Sequence, residues 1–155
     1  MSAETREQII AHVMKWITQS GLEVTSFDDA RHDFVLAVSE TVNLPQLQVI
    51  HLKPDSAFVM IVGLVNIPES DRQTLKNRNA DEFDTLVWDI KLNLVRMGVD
   101  FTVLGAERDP DSWEVQKRLM LSDTTANDFL EAYSKAKNAL ISIIWSYKRA
   151  LEKTT

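Results

Sequence analysis

The chain has no cysteine among its 155 residues. Disulfides, thiolate nucleophiles and cysteine-ligated zinc are therefore excluded. The absence suits a reducing compartment, and we expect a cytoplasmic protein. Glycine is also scarce: the four residues are each isolated, so there is no glycine-rich loop to cradle a phosphate. No apolar run approaches the ~18 residues of a membrane span; the longest, AFVMIVGLV at 57–65, is only strand-sized. The first stretch, MSAETREQIIAHVMKW, scatters charges among its apolar residues and lacks the apolar core of a signal peptide. Positive charge is not concentrated anywhere. Seventeen Lys and Arg face 23 Asp and Glu, giving a formal net charge of −6. A nucleic-acid reader usually carries a cationic face, so neither a nucleic acid nor a membrane is expected as partner.

What is present is ordinary globular material. Apolar residues make up 45% and charged residues 26%, enough to bury a core in one domain over 1–155. Residues 3–19 read as a helix, with Ile9, Ile10, Val13, Trp16 and Ile17 at helical spacing, Ser2 placed to cap it and Gly21 to end it. The period then becomes two. LEVTSF (22–27) and DFVLAVSE (33–40) alternate around the polar turn DDARH, and QLQVIHL (46–52) follows between Pro45 and Pro54. AFVMIVGLVNI (57–67) is apolar on both faces, which places it centrally in a sheet. The short connections imply an antiparallel meander.

A second helix is expected over 69–97, with Ser70 as its cap and Gly98 after its end. The stretch NRNAD (77–81) is poor helix-forming material, so a kink or break is open there. VDFTVL (99–104) and SWEVQKRLML (112–121) read as strands joined by GAERDPD. The last helix starts near Asp123–Thr125. The fold class is therefore α+β: a largely antiparallel sheet of five or six strands with three helices, in the order α-β-β-β-β-α-β-β-α.

Two of these helices carry more apolar surface than one core-facing stripe needs. At ~100° per residue, Phe83, Leu86, Val87, Ile90, Leu94 and Met97 form one stripe. Trp88, Leu92 and Val95 form another, spaced four and three apart and well over 90° away. On the last helix Phe129, Tyr133, Ala136, Leu140, Ile143, Tyr147 and Leu151 face the sheet. Leu130, Ile141 and Trp145 drift away from that face. The cover for this second surface is another helix of the same chain, a second chain, or a small molecule held against Trp88 or Trp145. The candidate interface is Trp88, Leu92, Val95, Ile141 and Trp145.

The string EFDTLVWDIKLNLVRMGVDFTVL, a polar turn, then WEVQKRLMLSDTTANDFLEAYSKAKNALISIIW resembles an archaeal family of uncharacterised small proteins, a domain of unknown function. WITQSGLEV, FVLAV and FVMIVGLV agree in layout. The resemblance spans nearly the whole chain at the level of pattern. It implies a fold similar to the type III secretion chaperones, which run helix, strands, helix, strands, helix. Such chaperones dimerise and hold unfolded client segments, and their middle helix commonly lies at the dimer interface, where Trp88, Leu92 and Val95 match in position. This chain has four strands before the middle helix; the chaperones usually have three.

The residues offer little chemistry. His12, His32 and His51 fall in different elements, and no HExxH pair or close His–carboxylate cluster marks a metal site. His32 reads as solvated in a polar turn and His51 as topping a strand. Asp28 with Asp29 and Asp109 with Asp111 sit in turns, where aspartates usually bond to backbone amides. Asp81, Glu82 and Asp84 lie on the middle helix and should face water. Trp16, Trp88, Trp113 and Trp145 lack the basic groove that base stacking needs. We therefore expect no catalytic residue, no cofactor and no metal. The sequence reads as a non-enzymatic protein-binding module, chaperone-like in character, working as a homodimer or with a protein partner. The alternative is a small-molecule-binding domain or small enzyme whose site is built from scattered residues.

Overall fold

The computed structural model describes residues 5–27, 31–39 and 47–153. Ser2 and the Asp28–Asp29 pair lie outside them. The first helix, α1 (Arg6–Gln19), is capped by Thr5, whose side chain accepts from the Gln8 amide while the Gln8 side chain answers the Thr5 amide. Four strands follow as a meander: β1 (Glu23–Phe27), β2 (Phe34–Ser39), β3 (Leu47–His51) and β4 (Phe58–Asn66). Two helices then cross to the far edge, where β5 (Asp100–Ala106) turns back into β6 (Asp109–Met120). The strand β6 inserts beside β4, so the sheet order is β1-β2-β3-β4-β6-β5, antiparallel throughout. The last helix, α4 (Ala126–Glu152), returns across the middle.

The expected helix over 69–97 is two helices, α2 (Glu69–Arg78) and α3 (Ala80–Met97), so the described residues hold four helices and not three. The break has a local cause. Asn79 takes an extended conformation (φ −164°), and its Oδ1 accepts from the amides of Asp81 (3.0 Å) and Glu82 (3.1 Å). Asparagine satisfies two orphan donors this way only by leaving the preceding helix. Ser70 does not cap α2; Pro68 holds that position and makes no side-chain cap. The polar turn expected over GAERDPD shrinks to Glu107 and Arg108, because β5 and β6 extend into it around a register shift at Leu104/Gly105.

All four helices lie on one side of the sheet. The inward side chains of the central strands are Val59, Ile61 and Val65 from β4 and Trp113, Val115 and Leu119 from β6, all buried. Onto them α4 lays Phe129, Tyr133, Ala136, Leu140, Ile143 and Tyr147. Its seat is set by Gly63, where an added Cβ would collide with the side chains of Leu140 and Leu47. Glycine there lets helix and strand approach closely. On the flanks, α1 packs beside α4 over β1, with Trp16 stacked on Phe129, and α3 packs beside α4 toward β5.

The central place expected for β4 is what the structure has, yet among the described residues only one of its faces is covered by helices. Phe58, Met60, Val62 and Leu64 alternate onto the opposite face, together with Met120 of β6 and Leu104 of β5. Leu64, Met120 and Leu104 are exposed there. The guanidinium of Arg118 lies 4.7 Å from the ring centre of Phe58 on this face.

Two measurements check this packing. Gly63→Val, which overfills the seat of α4, is expected to lower unfolding free energy by about 1–3 kcal/mol in urea titrations. Asn79→Ala is expected to cost about 0.5–2 kcal/mol, while Asn79→Asp, which keeps the accepting oxygen, stays close to wild type.

Candidate protein-binding face

The middle helix α3 has a sharply divided circumference. Phe83, Val87, Ile90 and Leu94 are buried against the core, with Leu86 and Met97 packed beside them. Trp88, Leu92 and Val95 point the opposite way and are 55%, 48% and 66% exposed. No part of the described chain covers this stripe. On α4, Trp145 is 68% exposed, and Leu130 and Ile144 also reach solvent, while Ile141 is half-buried. Of the five candidate interface residues, four therefore stand in water and one is partly sheltered. Among the described residues, burial by another helix of the same chain, one of the three covers considered, does not occur for Trp88, Leu92, Val95 or Trp145. Leaving large apolar side chains in water forgoes ~1.5–3 kcal/mol for each one. Single exposed leucines need no explanation, but three in one line on one helix do.

The framework holds this face rigidly. Gly98, at φ 73°, ends α3 in the left-handed conformation, and its carbonyl accepts from Lys117 Nζ at 2.9 Å. The Asn93 amide donates to Ser142 Oγ at 2.6 Å, which sets the register of α3 against α4. Arg78, the last residue of α2, donates to the carbonyls of Leu151 (3.0 Å) and Lys153 (3.1 Å) at the end of α4. Lys91 lies 5.0 Å from the Trp88 ring centre and 3.4 Å from Glu107 Oε1. The junction of α2, α3 and the end of α4 encloses an open cavity of about 740 Å³, lined by Leu75, Phe83 and Leu86 and by the polar groups of Arg78, Asp81, Glu82 and Asp89. Trp88 and Trp145 do not line it.

Charged groups inside the fold serve as ties between elements. Arg72, buried on α2, places its two terminal nitrogens 2.9 Å from Asp109 and 3.1 Å from Asp111, and its Nε donates to the Ile67 carbonyl at 3.3 Å. Lys76 also binds Asp109. The two aspartates were expected to serve backbone amides; they hold α2 to the β5–β6 turn. Burial pushes the Asp109 carboxyl up, but bonds to Lys76 and Arg72 outweigh it and hold the group below its usual range. The bond to Asp109 raises Arg72 above its usual value against the cost of burial. Nearby, Trp113 Nε1 donates to Tyr147 Oη at 3.0 Å in the core, and burial pushes the Tyr147 phenol up to about 12.

The histidines are placed differently from one another. His12 is exposed and meets Trp16 edge-on at 5.0 Å. His32, expected in water, is half-buried. His51 ends β3 fully buried, stacked on Phe34, with Nδ1 2.7 Å from Asp33 Oδ2 and Nε2 3.0 Å from the Ser56 carbonyl. Sequence reading missed this His–Asp pair. Its signal was available only through the β2–β3 register, which sets Phe34 opposite His51 and so brings Asp33 alongside. Both ring nitrogens are engaged and the Asp33 side chain is nearly buried. The pair ties β2 to β3, and Arg6 reaches Asp33 from α1. Among the described residues, no three His, Asp or Glu side chains converge as metal ligands, and no helix is long and apolar enough to cross a membrane.

A pH titration checks the Arg72 tie. A carboxylate held below its usual range contributes stability that is complete above the ordinary aspartate pKa of ~3.9 and is lost as pH falls through the folded value. Urea midpoints between pH 7 and pH 2.5 should therefore fall less in Asp109→Asn than in wild type, the variant starting lower at pH 7.

With the geometry established, comparison with other proteins is direct. No curated protein matches the sequence. A crystal structure of an uncharacterized protein from Methanothermobacter thermautotrophicus superposes with a TM-score of 0.81 at 14% identity, covering 92% of this chain and 99% of that one. YbjN from E. coli superposes with a TM-score of 0.51 at 10% identity, covering 90% of this chain and 91% of its own. At these identities the likeness is one of fold. A family model described as "Uncharacterized conserved protein (DUF2299)" matches residues 9–147. That match runs from α1 to the last turns of α4, and the chain belongs to this family.

Proposed function

We propose that the protein is a non-enzymatic, cytoplasmic protein-binding module whose docking surface is the outward face of α3. The observation that carries this reading is the line Trp88, Leu92 and Val95, held in solvent on a helix that is anchored at both ends. A flat apolar face on a rigid helix suits a polypeptide surface better than a small ligand, which needs concavity and converging polar groups. The chaperone-like form of the reading draws on the resemblance to the secretion chaperones. It gains support from the second apolar surface, the outer sheet face of Phe58, Met60, Val62 and Leu64 on β4, continued by Leu104 on β5, which among the described residues is an edge strand. An extended client segment can add to such an edge while its side chains rest on the sheet.

A photo-crosslinking residue at position 95, expressed in the native cell, tests the reading. Crosslinks to polypeptide are expected there, well above those from the same probe at Glu131, an exposed polar position on α4. Equal yields at the two positions would refute a docking face on α3.

A further inference from the structure

The α3 face is self-complementary, and the geometry points to a second copy of this chain as its occupant; we propose a two-fold dimer in which α3 packs antiparallel on α3 of the partner, with Leu92 at the axis. This inference rests on the proposed docking face and names what sits on it.

The argument is one of register. In an antiparallel pair related by a two-fold axis between the helices, a residue n positions before the axis meets the residue n positions after it in the other copy, and each flank of one helix meets the same flank of its mate. With Leu92 at the axis, Trp88 lies ~6 Å toward the N-terminus and Val95 ~4.5 Å toward the C-terminus at 1.5 Å per residue. Both fall on the same flank of the stripe, 20° apart at ~100° per residue. Trp88 of one copy thus rests against Val95 of the other, twice over, with Leu92 on Leu92 between them.

The charges obey the same symmetry. Asp89 and Arg96 are both exposed, and both lie on the opposite flank. Asp89 is ~4.5 Å before Leu92 and Arg96 ~6 Å after it. The axis that joins Trp88 to Val95 therefore sets Asp89 of each copy beside Arg96 of the other, giving two symmetric ion pairs on the flank that faces α4. A parallel two-fold would instead swap the flanks, setting Trp88 and Val95 of each copy against the charged Asp89 and Arg96 of the other. Lys91, which the axis brings toward its own copy, carries Glu107 with it at 3.4 Å. The α4 helix joins the same face. Its register on α3, fixed by Asn93 and Ser142, puts the exposed Trp145 at the level of Ile90, within ~3 Å of the axis level. The partner's α4 then lies opposite, completing a four-helix contact.

Sedimentation analysis of the full chain, with circular dichroism to confirm folding, tests this. The wild type is expected to be dimeric at tens of micromolar. Asp89→Arg and Arg96→Asp each oppose like charges across the contact and should each raise the dimer dissociation constant about tenfold. The double variant, with the pair reversed, should return toward wild type. Trp88→Ala should be monomeric with unchanged secondary structure. Because the chain has no cysteine, Leu92→Cys provides a second readout. Two cysteines at the axis meet within disulfide range, so mild oxidation should yield covalent dimer, whereas Glu131→Cys should not. A wild-type monomer, or single charge reversals without effect, or a double variant no better than either single, would overturn the dimer. A monomer that still crosslinks from position 95 to a different polypeptide would overturn it while leaving the docking face intact.

Discussion

The seating of α4 on β4 and β6 governs the rest of this molecule. Gly63 lets the helix descend onto the sheet at Leu140, and a run of inward side chains from Phe129 to Tyr147 then fills the middle of the layer. With the centre taken, α1 and α3 can only lie alongside. At the flank of a single layer, α3 touches the sheet, α4 and α2, and among the described residues nothing crosses over its top. Phe83, Val87, Ile90 and Leu94 exhaust what the core can accept from α3. Any apolar residue on the far side is left to solvent by the architecture itself.

The polar ties explain why that face keeps one orientation. The helix α3 begins where Asn79 breaks α2, and α2 is itself clamped by Arg72 on Asp109 and Asp111. It ends at Gly98, held by Lys117. Midway, Asn93 fixes it to Ser142. A buried arginine with two carboxylates is an expensive way to gain stability, since desolvation offsets most of the attraction. Its value is geometric: it allows one arrangement of α2 against the β5–β6 turn, and through α2 it sets where α3 starts.

Much of this was legible along the chain, and the exceptions have physical causes. Element type followed periodicity, and the meander followed from short connections. The central place of β4 followed from its apolar character on both faces, although no helix among the described residues covers the outer face. Alternation reveals which residues share a face; it does not reveal whether a second layer exists to cover it. The break at Asn79 was visible as weak propensity, but the capping oxygen that enforces it depends on a conformation that the sequence only hints at. The ion pairs of Arg72 and the His51–Asp33 pair were invisible, because their partners are 18 or more residues apart and meet only in the folded chain, His51 and Asp33 through the β2–β3 register and Arg72 through the docking of α2 on the β5–β6 turn. The candidate face is the reverse case. Helical spacing alone separates Trp88, Leu92 and Val95 from the core stripe, so their exposure was readable as a question before the fold supplied its answer.

That answer has weight because of scale. A domain of ordinary size is stable by ~5–15 kcal/mol, and a single large apolar side chain moved out of water is worth ~1.5–3 kcal/mol. Trp88, Leu92 and Val95, each about half to two-thirds exposed, together still represent a few kcal/mol, a sizeable share of the stability of the whole fold. Replacing them by polar residues would cost the isolated fold little, since none of them supports the core. Helix propensity offers no reason to keep them either, because tryptophan and valine are poorer helix formers than lysine or glutamate. The features that would make the stripe incidental are therefore missing. What distinguishes these positions from the scattered leucines of any surface is that they lie in one line, at the flank of a single helical layer, on a helix whose ends and middle are all tied down. Those properties together are what the proposed docking face rests on.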